Sequence, residues 1–201
     1  MSKVICIAIV IAKILLGATD QKSPEAMRKI AWEALQSRVK DQKVLNHSLA
    51  VEAIMREMAG HNDDPDEWGL AGLLHDIDIA TTHDDLSHHG VVGAQILRDL
   101  GFSNAVVHAV SAHDDHAGIA RESRMDHALY CADQVYWLVV GAGFRFPEDV
   151  RNTETETIWS RIQESRERSK IATKVSAECS QIGFDMPQLV AAAKRAAKSG
   201  R

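Results

Sequence analysis

GLLHDIDIATTHDDLSHHG, residues 72–90, places four histidines and four aspartates in nineteen positions, directly after an aliphatic run. The run before it reads as a helix, with Trp68, Ala71 and His75 along one face and Asp76 at its end. Metal-ligand side chains are thus set where a core helix runs out into a loop. This one stretch asks for a helical fold and for something at its centre that needs imidazoles and carboxylates.

Outward from it, the pattern stays helical from residue 23 onward. Ser23-Pro24-Glu25 is a helix start, with a capping serine and a proline at the first helical position. A second helix is expected over about 41–60, and Asp63-Asp64-Pro65 opens the third. Ser87 is expected to cap a fourth helix ending at Gly101, and Ser103 a fifth running to about His113. A sixth is expected over 123–141, then two more over 153–181 and 185–198. No stretch after residue 20 alternates as a strand would, so the fold class is all-α. The division expected is an apolar segment 1–22, a helical core 23–146, and a helical extension 147–201 of the same domain.

All ten histidines lie between positions 47 and 127. His47 shares a stripe with Val51, Ile54 and Met58, and His89 lines up with Gly93, Ile96 and Leu100. His113 aligns with Val106, Ala109 and Val110. Asp133 lies between Leu129 and Tyr130 on one side and Trp137 and Val140 on the other. Five helices therefore each turn an imidazole or a carboxylate inward. A single inward histidine is ordinarily a satisfied core residue. Six such groups converging in a helical core are how bundles build metal sites, because a buried carboxylate needs a partner or a cation.

The totals narrow the function classes. At 45% hydrophobic and 25% charged, the 201 residues suit one soluble domain. A net charge of −5 argues against binding a nucleic-acid polymer, which needs a basic face. A small anionic substrate remains open, since a metal reverses the local charge. Cys6, Cys131 and Cys179, odd in number and widely spaced, indicate neither a disulfide framework nor a thiolate zinc site, and a cytoplasmic location is expected. VICIAIVIAKILLGA, residues 4–18, is too short and interrupted for a stable membrane span. It reads as a packing arm or a targeting segment.

The order His47, then His75-Asp76, then Asp133 resembles the HD superfamily of metal-dependent phosphohydrolases, named for its His-Asp doublet. The match is strongest over LNHSLAVEAIMREMAG, residues 45–60, and WGLAGLLHDIDIA, residues 68–80, and continues through SHHGVVGAQILRDLGF and VSAHDDH to HALYCADQV. The resemblance implies that His47, His75, Asp76 and Asp133 bind a divalent metal, with His75 and Asp76 the catalytic pair. It implies further that His89 and His113 ligate a second ion and that Asp76 bridges the two. One or two ions per chain are expected, from among Fe, Mn, Ni, Co, Zn and Mg. The implied activity is hydrolysis of a small phosphate ester such as a nucleotide by a metal-activated hydroxide.

Two departures matter. Many HD hydrolases carry a lysine after the doublet, in a His-Asp-Ile-Gly-Lys context, whereas this chain runs His75-Asp76-Ile77-Asp78-Ile79-Ala80. A phosphate-binding cation must then come from elsewhere, and Arg121 and Arg124 are the nearest candidates, either as substrate contacts or as solvated loop arginines. Asp78, with His83, Asp84 and Asp85, belongs to a loop at the expected mouth, as a substrate-binding group, a partner orienting the ligands, or a polar surface. The six-residue set is also that of HD-type di-iron oxygenases, which cleave a C–C or C–P bond of a small polyol or phosphonate. A metal-binding signalling module without turnover is the third reading. Tyr130, Trp137 and Trp68 are either pocket walls or core, and the helices after residue 147 cap the site, carry specificity or form a homodimer interface.

Overall fold

The structure, a computed structural model, describes residues 23–199. The reading of residues 1–22 as an arm or targeting segment lies outside them. The described chain is all-α, with no strand among those residues. No helix among them is long and apolar enough to cross a membrane.

Helix α1 (Pro24–Arg38) starts as its sequence requires, with the Ser23 hydroxyl accepting from the Ala26 amide and proline in the first turn. The Asp41 carboxylate caps α2 (Gln42–Met58), and Asp64 with Pro65 opens α3 (Pro65–Leu74). A short turn, α4 (Ile79–Thr82), leads to a 3-10 turn at Leu86–His88 and then to α5 (Val91–Asp99) and α6 (Asn104–Ala112). The long α7 (Arg124–Gly141) begins with a capping box between Ser123 and Asp126. The remainder is α8 (Glu148–Asn152), α9 (Thr155–Gln163), α10 (Arg166–Cys179) and α11 (Met186–Ser199).

At the centre, α2 packs on α3 and α7, and α6 packs on both α3 and α7. Helix α11 returns to cover α2 and α7, with Leu189, Val190 and Ala193 fully buried. The approach of α2 and α3 is close enough that a Cβ on Gly72 would stand 2.7 Å from the Val51 carbonyl oxygen. No side chain fits between them. The Val51, Ile54 and Leu74 side chains are fully buried around this contact, so His47 and His75 are fixed by rigid, tightly packed helices.

Three expectations are corrected. The fourth helix does not begin at Ser87: the Asp85 carboxylate takes both the amide and the hydroxyl of Ser87, and Gly90 breaks the chain with φ 77°. Helix α5 starts at Val91, so His89 stands before it on extended backbone (φ −62°, ψ 138°). The span 153–181 is two helices, because the Ser165 hydroxyl accepts from the Arg168 amide and starts a new one. Finally, Cys131 of α7 and Cys179 of α10 form a disulfide buried from solvent, although the sequence indicated none. Their 48-residue separation hides a contact that only the packing of α10 on α7 creates.

Candidate metal centre

The six residues singled out in the sequence come together at the junction of α2, α3, α7 and the α5–α6 pair. His47, His75, His89, His113 and Asp133 are all less than a tenth exposed, and Asp76 lies among them. His47 Nε2 is 2.9 Å from His75 Nε2 and 3.0 Å from Asp133 Oδ1. Asp76 divides its oxygens. Oδ2 lies 3.3 Å from His75 Nε2 and 3.5 Å from His47 Nε2, whereas Oδ1 lies 3.2 Å from His89 Nε2 and 3.8 Å from His113 Nε2. Two sets of three ligand atoms, His47–His75–Asp133 and His75–Asp76–His113, each fall within 4.8 Å of one another.

The far nitrogens of three rings are anchored. His75 Nδ1 donates to the Gly72 carbonyl at 2.8 Å, and His113 Nδ1 to the Val110 carbonyl at 2.7 Å. His89 Nδ1 donates to Asp78 Oδ1 at 2.9 Å. Acceptors at Nδ1 require the proton there, which leaves each Nε2 lone pair aimed at the cluster. Lone pairs of imidazoles and carboxylates then face one another across about 3 Å, an arrangement that requires either protons or a cation between them. The donor set fits a divalent cation, and with no cysteine in it among the described residues the set is that of a borderline metal, not of a structural zinc site.

Electrostatics agree. Burial pushes the His75 pKa down, but the Asp76 and Asp133 carboxylates and the Gly72 carbonyl more than offset it and raise it to about 9. Burial likewise opposes the His89 proton, and Asp76 and Asp78 raise that ring to about 10. His113 goes the other way, lowered by burial and by the neighbouring His75 charge. Burial acts to raise Asp76, yet His75, His89 and His47 hold it well below the usual carboxylate range. Asp133 is also lowered, by His47 and His75 against its burial.

The cluster opens into a cavity of about 270 Å³ walled by Val44, Ile79 and Leu86, with Asp114, Lys43 and Trp137 also lining it. Arg121 and Arg124 are not among the residues that line it. Arg121 is held by Glu178, Asp115 and the Ala112 carbonyl and lies over the Tyr130 ring. Arg124 bonds the Ile182 carbonyl and faces Asp63. Asp78 is not among the residues that line the cavity either: it is buried beneath His89, where its second oxygen accepts the amides of Gly90 and Gly93 at 2.9 and 2.7 Å. His83, Asp84, Asp85 and His88 are exposed and pair locally. Trp68 and Tyr130 are core. The sequence reading passed over Lys43, although its place one helical turn before His47 puts it on the same face.

Residues 44–173, more than half of the chain, match the HD domain family. The chain belongs to that family. Among proteins similar to this HD domain is ribonuclease Y of Oleidesulfovibrio alaskensis, 35% identical over 95 residues, which cover 47% of this chain and 18% of that protein. Ribonuclease Y of Chloroflexus aurantiacus is 41% identical over 73 residues, 36% of this chain and 14% of its own length. An uncharacterized protein of Methanocaldococcus jannaschii is 38% identical over 94 residues, 44% of this chain and 54% of that protein. The HD domain chain thus spans about half of the Methanocaldococcus jannaschii relative and less than a fifth of each ribonuclease.

Proposed function

We propose that this HD domain is a metal-dependent phosphohydrolase acting on a small phosphate ester such as a nucleotide. One observation carries the reading: the two oxygens of Asp76 face two different pairs of histidines, His47 with His75 and His89 with His113. That is the disposition of a carboxylate shared between two cation positions. In this reading His47, His75, Asp76 and Asp133 hold one ion, and His89 and His113 with Asp76 hold a second.

Divalent cations bound there supply positive charge opposite a phosphoryl group and acidify water. The chain's own residues do the rest. The carbonyls of Gly72 and Val110 and the carboxylate of Asp78 fix the rings, so the lone pairs are oriented before any ligand arrives. The apolar wall of Val44, Ile79 and Leu86 limits water in the cavity. Similarity to proteins named ribonucleases supports chemistry at phosphorus, and the net charge of −5 favours a small anion over a polymer.

Metal content of protein purified without added metal and without oxygen, followed by a phosphatase screen of nucleotides and sugar phosphates, tests the proposal. Bound metal with hydrolysis, both lost in His75→Ala and Asp76→Ala at unchanged helical content, is the expected result. Full metal and full activity in those variants overturns the assignment. A second reading rests on the same six residues, which equally resemble the HD-type di-iron oxygenases. Two irons per chain and oxygen consumption with a polyol or phosphonate, without phosphate-ester hydrolysis, would favour it.

A further inference from the structure

The cavity mouth holds two residues that the metal-ligand reading leaves unused. Lys43 lies one helical turn before His47 on α2, and Trp137 lies one turn after Asp133 on α7. Spacing of four residues puts each on the same face as the ligand it flanks, so both reach the rim of one cavity. Trp137 is 53% exposed, the most exposed large apolar residue among those described. Its ring stands 4.8 Å from the His47 ring at 36°, so one face of it is taken by the site. Trp137 both lines the cavity and opens to solvent, so its indole can touch a ligand that extends out of the cavity. Lys43 makes no side-chain ion pair or hydrogen bond among the described residues, and it is the lysine or arginine that lines the cavity. The histidines lining it are those of the cluster, and its carboxylates are Asp76, Asp114 and Asp133.

We propose that Lys43 and Trp137 are the specificity-determining pair of this site: Lys43 binds the phosphate of a nucleoside monophosphate, and Trp137 stacks on its base. This rests on the phosphohydrolase reading above and assigns the recognition that the missing lysine after the doublet leaves open. Size sorts the parts of the ligand. A cavity of about 270 Å³ is at the small end for ligand sites and admits a phosphoryl group with part of a sugar. The base must then lie outside, where the exposed indole is. Aromatic faces hold bases without reading their edges, so discrimination is between ligands with and without a base, not among bases. One cation at the mouth matches one terminal phosphate and gives no track for a polynucleotide backbone.

Equilibrium binding tests the pair without turnover. Manganese-loaded protein is titrated under nitrogen with phosphonate analogues of adenosine monophosphate and of ribose 5-phosphate, in which a methylene replaces the bridging oxygen. The adenosine analogue should bind about tenfold more tightly, and Trp137→Leu should remove that advantage while leaving the ribose analogue unchanged. Lys43→Gln should weaken both analogues about equally, and Lys43→Arg should restore them. Equal binding of the two analogues to the unaltered protein, selectivity that survives Trp137→Leu, or no binding of either overturns the proposal. Selective binding with no hydrolysis of the natural ester would retain the pair and reject the phosphohydrolase reading, so the two fail separately.

Discussion

His89 Nδ1 lies 2.9 Å from Asp78 Oδ1, and the other oxygen of Asp78 takes the amides of Gly90 and Gly93. One buried carboxylate therefore does two things: it fixes the tautomer of His89, and it pins the glycine break that starts α5. Asp78→Asn keeps the shape but presents an amide group to one of these donors. The expected loss is about 10- to 100-fold in affinity for the ion that His89 would hold. Folding stability should fall by about 1–3 kcal/mol from the unpaired buried donor. Metal titration and thermal melts read the two effects apart. Unchanged affinity would mean that His89 needs no orientation from below.

The six residues should not contribute equally to stoichiometry. Through Nε2, His89 and His113 approach Asp76 Oδ1, whereas His47 and His75 approach Asp76 Oδ2 and Asp133 Oδ1. His89→Ala and His113→Ala should each lower the metal content by one ion and leave the other in place. His47→Ala should remove the other ion and leave the one that His89 and His113 would hold. Elemental mass spectrometry on the purified variants gives the ratio, and loss of all metal in each of the three would show one site with shared ligands.

Metal loading should release protons. His75 and His89 have pKa values raised to about 9 and about 10, so both rings carry a proton at neutral pH until a cation displaces it. His113 is lowered and Asp76 and Asp133 are held ionised, so they contribute none. Calorimetric titration at pH 7 in buffers of different ionisation enthalpy should show up to about two protons released per chain. The sign is fixed: affinity rises with pH and levels off once pH passes about 9 to 10. A pH-independent affinity would contradict the raised pKa values.

What was legible in the sequence, and what was not, divides by the range of the interaction involved. Ser23, Asp64 and Ser103 announce helix starts because the cap acts within three residues, and the helices begin there. Periodicity places His47, His75, His113 and Asp133 inward, since positions on one buried helical face recur every three or four residues. The periodicity puts His89 on a helix that in the structure begins only after it, at Val91, because Asp85 competes for Ser87 and Gly90 reverses φ. Its inward position survives through a bond to Asp78 that no periodicity reveals. The sequence offers Arg121 as one of the nearest candidate cations, but its partners Glu178 and Asp115 are 57 and 6 residues away, and only the fold brings them together. The Cys131–Cys179 bond escapes the sequence for the same reason.

Gly72 should tolerate no side chain. A Cβ there would meet the Val51 carbonyl oxygen at 2.7 Å and the Glu52 amide nitrogen at 2.8 Å, backbone atoms that cannot move aside. Gly72→Ala must therefore separate α2 from α3 and with them His47 from His75. About 1–3 kcal/mol of stability should be lost, as for overpacking a well-filled core. Metal affinity should fall with it, although no ligand has been touched. Chemical denaturation and metal titration of this variant check both, and retention of full affinity would show that the two histidines are not held by the helix contact.

The disulfide ties α10 to α7 two residues before Asp133. Closing a loop of 48 residues restricts the unfolded chain by up to about 4 kcal/mol on the chain-entropy account. Cys179→Ser, or reduction of the unaltered protein, should therefore lower the thermal midpoint by several degrees. The effect on metal content should be small, because Asp133 is positioned by the core contacts of α7 with α2, which the bond does not make. Mass determination with and without reductant establishes the bond, and calorimetry gives its contribution. If reduction released the metal as well, the C-terminal helices would be part of what holds Asp133 in place, and the centre would depend on the redox state of a cysteine pair that lies outside it.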